Sequence, residues 1–168
     1  MKTLKFTLFA LFVAATNLVS AQGLAPAVIK SAIEKNKDVV IRFNKAYWES
    51  ENIEVVNAEI VKEFLADNYV NHFAPPNGPN GQSLMVQFIT SFRKGFSNVT
   101  IEFHEVIGGE DKVSLVKTIT ATHTGVFMGK AATGKKVVFN IVEIDALKDG
   151  KITDTWALSN LPQVIQAL

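Results

Sequence analysis

From Asn98 to Asn160 the chain is written in the period of a β-strand, broken only at glycine turns, and no other feature constrains its fold so strongly. Ile101 and Phe103 alternate with Glu102 and His104. Val113, Leu115, Ile119 and Ala121 then share a face with Lys117 and His123. After a glycine-rich stretch that carries Phe127, Val138, Val142, Ile144 and Ala146 share a face with Asn140. Gly108-Gly109 and Asp149-Gly150 are turn dipeptides between such runs, so neighbouring strands are expected to pair antiparallel.

The residues before Asn98 follow helical spacing instead. Ile29, Ile33, Val40, Phe43 and Tyr47 fall on one side of a long helix with Pro26 near its start, where a missing backbone donor does no harm. Ile53, Val56, Ile60 and Phe64 mark a second helix, and Leu84, Phe88, Phe92 and Phe96 a third. Between these lie an extended segment, Tyr69 to Phe73, and a Pro/Asn/Gly run from Pro75 to Gly81 that regular structure cannot accommodate. Helices first and strands afterwards give an α+β fold: a curved antiparallel sheet wrapped over about three helices and enclosing a cone.

The length of 168 residues and 48% hydrophobic content suit one domain with one core. Seventeen basic residues against 16 acidic ones leave no surplus charge for a nucleic-acid backbone or an anionic membrane. Cysteine is absent, which excludes disulfides, thiol nucleophiles and cysteine-built zinc sites. Residues 1–21 have the form of an export leader: Lys2 and Lys5, a short apolar run from Phe6 to Ala15, and a small-residue cleavage site at Val19-Ser20-Ala21. That run is half the length needed to span a bilayer, about 20 residues. A mature domain over 22–168, periplasmic or secreted and without stable membrane insertion, is expected.

The chemistry-bearing positions are few. Gly129 to Lys135 approaches a phosphate-binding loop, but Lys136 replaces the required Ser/Thr and a strand follows where a helix is needed. None of the three histidines is spaced as a metal pair on a helix, and neither metal nor cofactor is expected. His72 and His123 each lie at a strand end beside a loop, where an acid/base role and a structural hydrogen bond both remain open. Glu143 and Asp145 share a face with Val137, Phe139 and Ile141, and a solvated outer face accounts for them. In the last strand, Ile152, Asp154, Trp156, Leu158 and Asn160 fall on one face at period two. Polar groups beside an indole on an apolar face suggest a pocket wall, and a carboxyl there suits a general acid or base.

Thr122-His123-Thr124-Gly125, Gly129, Thr133-Gly134-Lys135-Lys136-Val137, and Asp149-Gly150-Lys151-Ile152 with Trp156 together resemble a SnoaL-like polyketide cyclase, or ester cyclase, domain. The upstream order agrees, with Tyr69-Val70-Asn71-His72 and then Arg93 and Phe96. The resemblance implies a nuclear transport factor 2-like cone with a deep apolar pocket, commonly a homodimer, and cofactor-free ring closure by an acidic side chain near the end of the last strand. The chain departs from the pattern at Trp156-Ala157-Leu158-Ser159-Asn160, where family members carry Trp-x-x-x-Asp, and at Ser97-Asn98, where Pro-Asp is usual. An asparagine amide does not exchange a proton near neutrality. On this reading His123, His72, Asp154 and Asn160 are the candidate catalytic groups. Trp156, Phe73, Phe127 and Asn140 are the candidate substrate contacts, and the partner is a small, largely apolar molecule. A binding domain that has lost the chemistry, or a dimerisation module using the open sheet face, is the alternative.

Overall fold

The computed structural model describes residues 26–75 and 77–168; the expected leader lies outside the described residues. Helix α1 (Pro26–Glu49) is followed by one irregular helical segment made of α2 (Ile53–Val55), a π-helical turn (Val56–Ile60) and α3 (Val61–Phe64). Strand β1 (Leu65–Asn71) comes next, then helix α4 (Gly81–Gly95) and strands β2 (Phe96–Gly108), β3 (Lys112–His123), β4 (Lys136–Lys148) and β5 (Lys151–Ser159). A last short helix, α5 (Leu161–Gln166), begins with Pro162 in its first turn, where proline is tolerated.

The strands form one sheet in the order β1-β5-β4-β3-β2. β2 to β5 pair antiparallel as the turns require, whereas β1 adds to the edge parallel to β5. Register shifts in β2, between Ser97 and Thr100 and between Phe103 and Glu105, bend the sheet around the helices without closing it. Val40, Phe43 and Tyr47 of α1 and Ile89 and Phe92 of α4 meet Leu115, Ile119, Phe139 and Ile152 of the inner face. Trp48 sits edge-on to Phe88, Phe92 and Phe139, with ring centroids 5.3–5.9 Å apart. That is the geometry that aromatic quadrupoles favour.

The glycine-rich loop is held by a close approach that only glycine permits. A Cβ on Gly125 would lie 2.0 Å from the Lys94 carbonyl oxygen. The backbone N–H groups of Thr124 and Gly125 both donate to the Gly95 oxygen at 2.9 Å. This seats Phe127 in the core against Phe92 and Phe96.

Two face assignments are overturned. In β4 the inner face carries Val137, Phe139, Ile141, Glu143, Asp145 and Leu147, while Val138, Asn140, Val142 and Ile144 face outward. Both faces contain enough branched apolar residues to pass as core. In β5 the set from Ile152 to Asn160 does not share a face. Ala146 pairs with Asp154 and Leu147 with Ile152, so Thr153 is an extra residue in the ladder. That bulge inverts the alternation. Ile152, Thr155 and Ala157 line the inside, and Asp154, Trp156 and Leu158 stand on the outside.

Candidate active site

A pocket of about 490 Å³ opens between α1, α4, β1 and the inner faces of β4 and β5. Phe43, Trp48, Phe88, Phe139 and Ile141 make its apolar body, and Phe73 and Pro75 lie along it from the loop after β1. Its volume is in the range of small-molecule sites, roughly 300–1,000 Å³.

The buried polar groups that line this pocket are Asn44, Tyr47, Glu143 and Thr155. They are held from behind by Lys117, which is 1% exposed and reaches across from β3. Its ammonium lies 2.6 Å from Glu143 Oε2 and also donates to Asn44 Oδ1. Because a lysine can only donate, this contact fixes the Asn44 amide: its oxygen faces Lys117 and its Nδ2 faces Glu143 and Val40. Nδ2 accordingly donates to Glu143 Oε1 at 3.2 Å and to the Val40 carbonyl at 3.0 Å, one helical turn back. Asn44 occupies the inward stripe of α1 with Val40, Phe43 and Tyr47, so helical periodicity delivers a polar group to an otherwise apolar floor.

Glu143 and Asp145 are two residues apart on β4 and therefore share the inner face. Their environments drive them in opposite directions. Burial works against the Glu143 charge, but the adjacent Lys117 ammonium outweighs it and holds this carboxyl below its ordinary range. Asp145 is pushed well above its ordinary 3.8, first by burial and then by the negative charge on Glu143. Burial and the neighbouring charges thus drive the two carboxyls apart, Glu143 towards the charged form and Asp145 towards the neutral one. Asp145 Oδ1 accepts from Thr155 Oγ1 at 2.6 Å, and its Oδ2 has no hydrogen-bond partner among the described residues. Burial also raises the two nearby phenols, Tyr47 and Tyr69. Tyr47 donates to the Met85 carbonyl at 2.8 Å.

The residues singled out from sequence fall into separate groups, and His72, Asp154 and Trp156 form one of them. His123 is fully buried beneath Phe96, with Nδ1 3.1 Å from Thr133 Oγ1 and Nε2 unpartnered among the described residues, and it fastens the glycine-rich loop. His72 lies flat on Trp156, centroids 4.1 Å apart and planes 4° apart, with Nε2 2.8 Å from Asp154 Oδ1. This bond is the main reason that Asp154 sits below its usual range, and the whole stack is on the outer side of β5. Asn160 Oδ1 accepts from the Asn140 backbone N–H at 2.8 Å. The Asn140 side chain accepts from Thr118 on the outer face. Of the eight candidates, only Phe73 lines the pocket. Asn44, Tyr47, Lys117, Glu143 and Thr155 were not selected from sequence. The available signal was Lys117 on an apolar strand face, since a buried ammonium demands a carboxylate on the neighbouring strand. Among the described residues no cluster of histidine and acidic side chains is arranged to hold a metal ion.

A curved, open five-stranded sheet with helices over one face is the fold of the nuclear transport factor 2-like class. Within it, residues 38–168 match the SnoaL-like polyketide cyclase family, and the chain belongs to that family. A Jannaschia protein assigned as a SnoaL-like polyketide cyclase is 19% identical, with a TM-score of 0.67 over 87% of this chain and 96% of its own. A Bacillus cereus protein assigned as a polyketide cyclase is 24% identical, with a TM-score of 0.67 over 84% and 85% of the two chains. AclR of Streptomyces galilaeus, assigned as a hydroxylase, is 24% identical with a TM-score of 0.62 over 80% and 81%. At these identities the likeness carries the fold alone. No curated protein matches the sequence.

Proposed function

We propose that the protein binds a small, largely apolar molecule in this pocket and moves a proton on it with Glu143, using no cofactor. The supporting observation is one carboxylate, kept charged by Lys117 and Asn44, on the wall of a pocket otherwise built from aromatic and aliphatic side chains. A base in such a place needs no water and is already oriented. The proton passes from an acidic C–H or O–H of the ligand to a Glu143 oxygen. The negative charge left on the ligand lies near Lys117, and the proton returns when the product forms. Nothing is oxidised or reduced, so the reaction class is isomerisation or ring closure.

The test is a panel of C–H-acidic ketones and esters followed by proton exchange or product formation. Wild type should turn over at least one, and Glu143→Gln should lower its kcat by about a hundredfold or more. If wild type exchanges no proton on any of them while a hydrophobic probe still binds, the pocket serves binding alone. That second reading is favoured by Asn160 at the family's acidic position.

Two further properties belong to the proposal. Residues 1–21 direct export, and the mature protein recovered from periplasm or medium should begin at Gln22. The outer sheet face serves a homodimer. Val138, Val142, Ile144 and Leu158 are exposed side by side on β4 and β5, where Val142 pairs with Leu158. A contiguous apolar patch of this kind is uncommon on monomers, and sedimentation of the wild type should give twice the chain mass.

A further inference from the structure

The hydrogen-bond inventory of the pocket's buried end narrows what it can hold. Asn44 spends one amide hydrogen on Val40 and the other on Glu143. Tyr47 spends its only donor on the Met85 carbonyl. Thr155 spends its hydroxyl hydrogen on Asp145 Oδ1. The backbone of β4 and β5 behind them is committed to the strand ladder. The donors of Asn44, Tyr47 and Thr155 therefore point at protein. What these residues and Glu143 offer a ligand is lone pairs, on the Glu143 carboxylate, on the Tyr47 oxygen and on the Thr155 hydroxyl. Asn71 and Ser159, the other polar residues of the lining, are far more accessible to water.

We infer that the buried end of the pocket selects ligands that donate a hydrogen bond, a phenol, enol or alcohol hydroxyl, over ligands that present only a carbonyl or ether oxygen. The inference rests on the pocket reading above and deepens it. A carbonyl or ether oxygen placed against Glu143 would meet a negative charge, lose its own water and gain no donor, a combination that costs affinity. A hydroxyl there exchanges water for a charge-assisted bond.

Calorimetric titration of the purified protein with 2-naphthol, 2-methoxynaphthalene and naphthalene, at a pH where the naphthol is neutral, separates the cases. In an unselective apolar pocket the ether binds more tightly than the naphthol, because it leaves water more readily. The expected result is the reverse, with 2-naphthol at least about tenfold tighter than the ether. Equal affinity, or a tighter ether, overturns the donor selection and leaves the pocket standing. If none of the three binds, the pocket reading fails and the inference falls with it. Glu143→Gln sharpens the result: an amide brings a donor to the same place, and the preference should shrink towards parity. Should that variant fail to fold, the wild-type contrast decides alone.

Discussion

The two faces of the sheet treat polar residues in opposite ways. On the inner face, Lys117, Glu143, Asp145 and Asn44 are withdrawn from water, and almost every polar atom among them is bound to another. On the outer face, His72 with Asp154 and His104 with Thr118 and Asn140 make bonds just as short in partly exposed positions. Length does not distinguish them. Water does: an exposed pair exchanges one set of hydrogen bonds for another, whereas a buried one has nowhere else to turn. The inner cluster should therefore govern folding, pH response and chemistry, and the outer ones should be close to neutral.

The sharpest break of that contrast is Lys117→Met. It leaves the Glu143 charge buried beside the pocket without its cation, and the expected loss is about 3–5 kcal/mol. A denaturant midpoint measures it. Adding Glu143→Leu to Lys117→Met should recover much of the loss, since a buried pair replaced entire by apolar residues costs little. A loss below that of an ordinary surface change, about 0.5 kcal/mol, would mean that the pair is hydrated.

Asp145→Asn probes the same face through pH. Asp145 is raised in the folded state, so its stabilising contribution is complete below its ordinary 3.8 and is lost as pH climbs through the folded value. Glu143 is lowered, so its contribution is present above its ordinary 4.5 and is lost as pH falls through the folded value. Wild type should thus lose stability on the alkaline side of about pH 4 through Asp145. The asparagine variant keeps an acceptor for Thr155, does not titrate, and should give a flatter thermal-midpoint curve there. Parallel curves for the two proteins would show Asp145 ionised throughout.

How far the sequence discloses this contrast differs by element. The helices, the glycine turns and the antiparallel order of β2 to β5 follow from periodicity and turn chemistry, because local spacing determines them. The β3 face is legible for the same reason. β4 is ambiguous by composition: Val138, Val142 and Ile144 are as branched and apolar as Val137 and Ile141, and only tertiary pairing with Lys117 draws Glu143 inward. β5 is illegible in a stronger sense. Thr153 is unremarkable in sequence, yet as a bulge it reverses the facing of everything after it. Unbroken alternation would put Trp156 inside, whereas it stands outside, flat against His72.

Trp156→Ala turns that correction into a measurement. It removes the surface stack on His72, at an expected cost of about 1 kcal/mol. Affinity of the pocket for a hydrophobic probe should stay within about twofold, about 0.4 kcal/mol. Phe88→Ala is the inner counterpart, since Phe88 lines the pocket and packs edge-on against Trp48. It should weaken the same probe by about tenfold, as a buried aromatic contact of roughly 1.4 kcal/mol would. If Trp156→Ala weakens the probe as much as Phe88→Ala does, the two faces are not independent.

The smallest expected effect belongs to Asn160, where the family resemblance implies an acidic residue. Asn160→Asp installs the acidic residue that the resemblance implies, and a pocket-lining site there would gain a proton carrier worth about a hundredfold or more in rate. Asn160, however, is exposed, and its Oδ1 accepts the Asn140 backbone N–H outside the pocket. An aspartate oxygen can accept the same bond, with its charge in water. Stability should move by less than about 0.5 kcal/mol, and proton-exchange rates in the pocket should not rise measurably. A rate gain that survives Glu143→Gln would show that the end of β5 folds inward when ligand is bound and would move the acid/base role from β4 to that strand. A gain that disappears with Glu143→Gln would instead make the introduced carboxylate an indirect influence on Glu143, and the inner cluster would keep the chemistry.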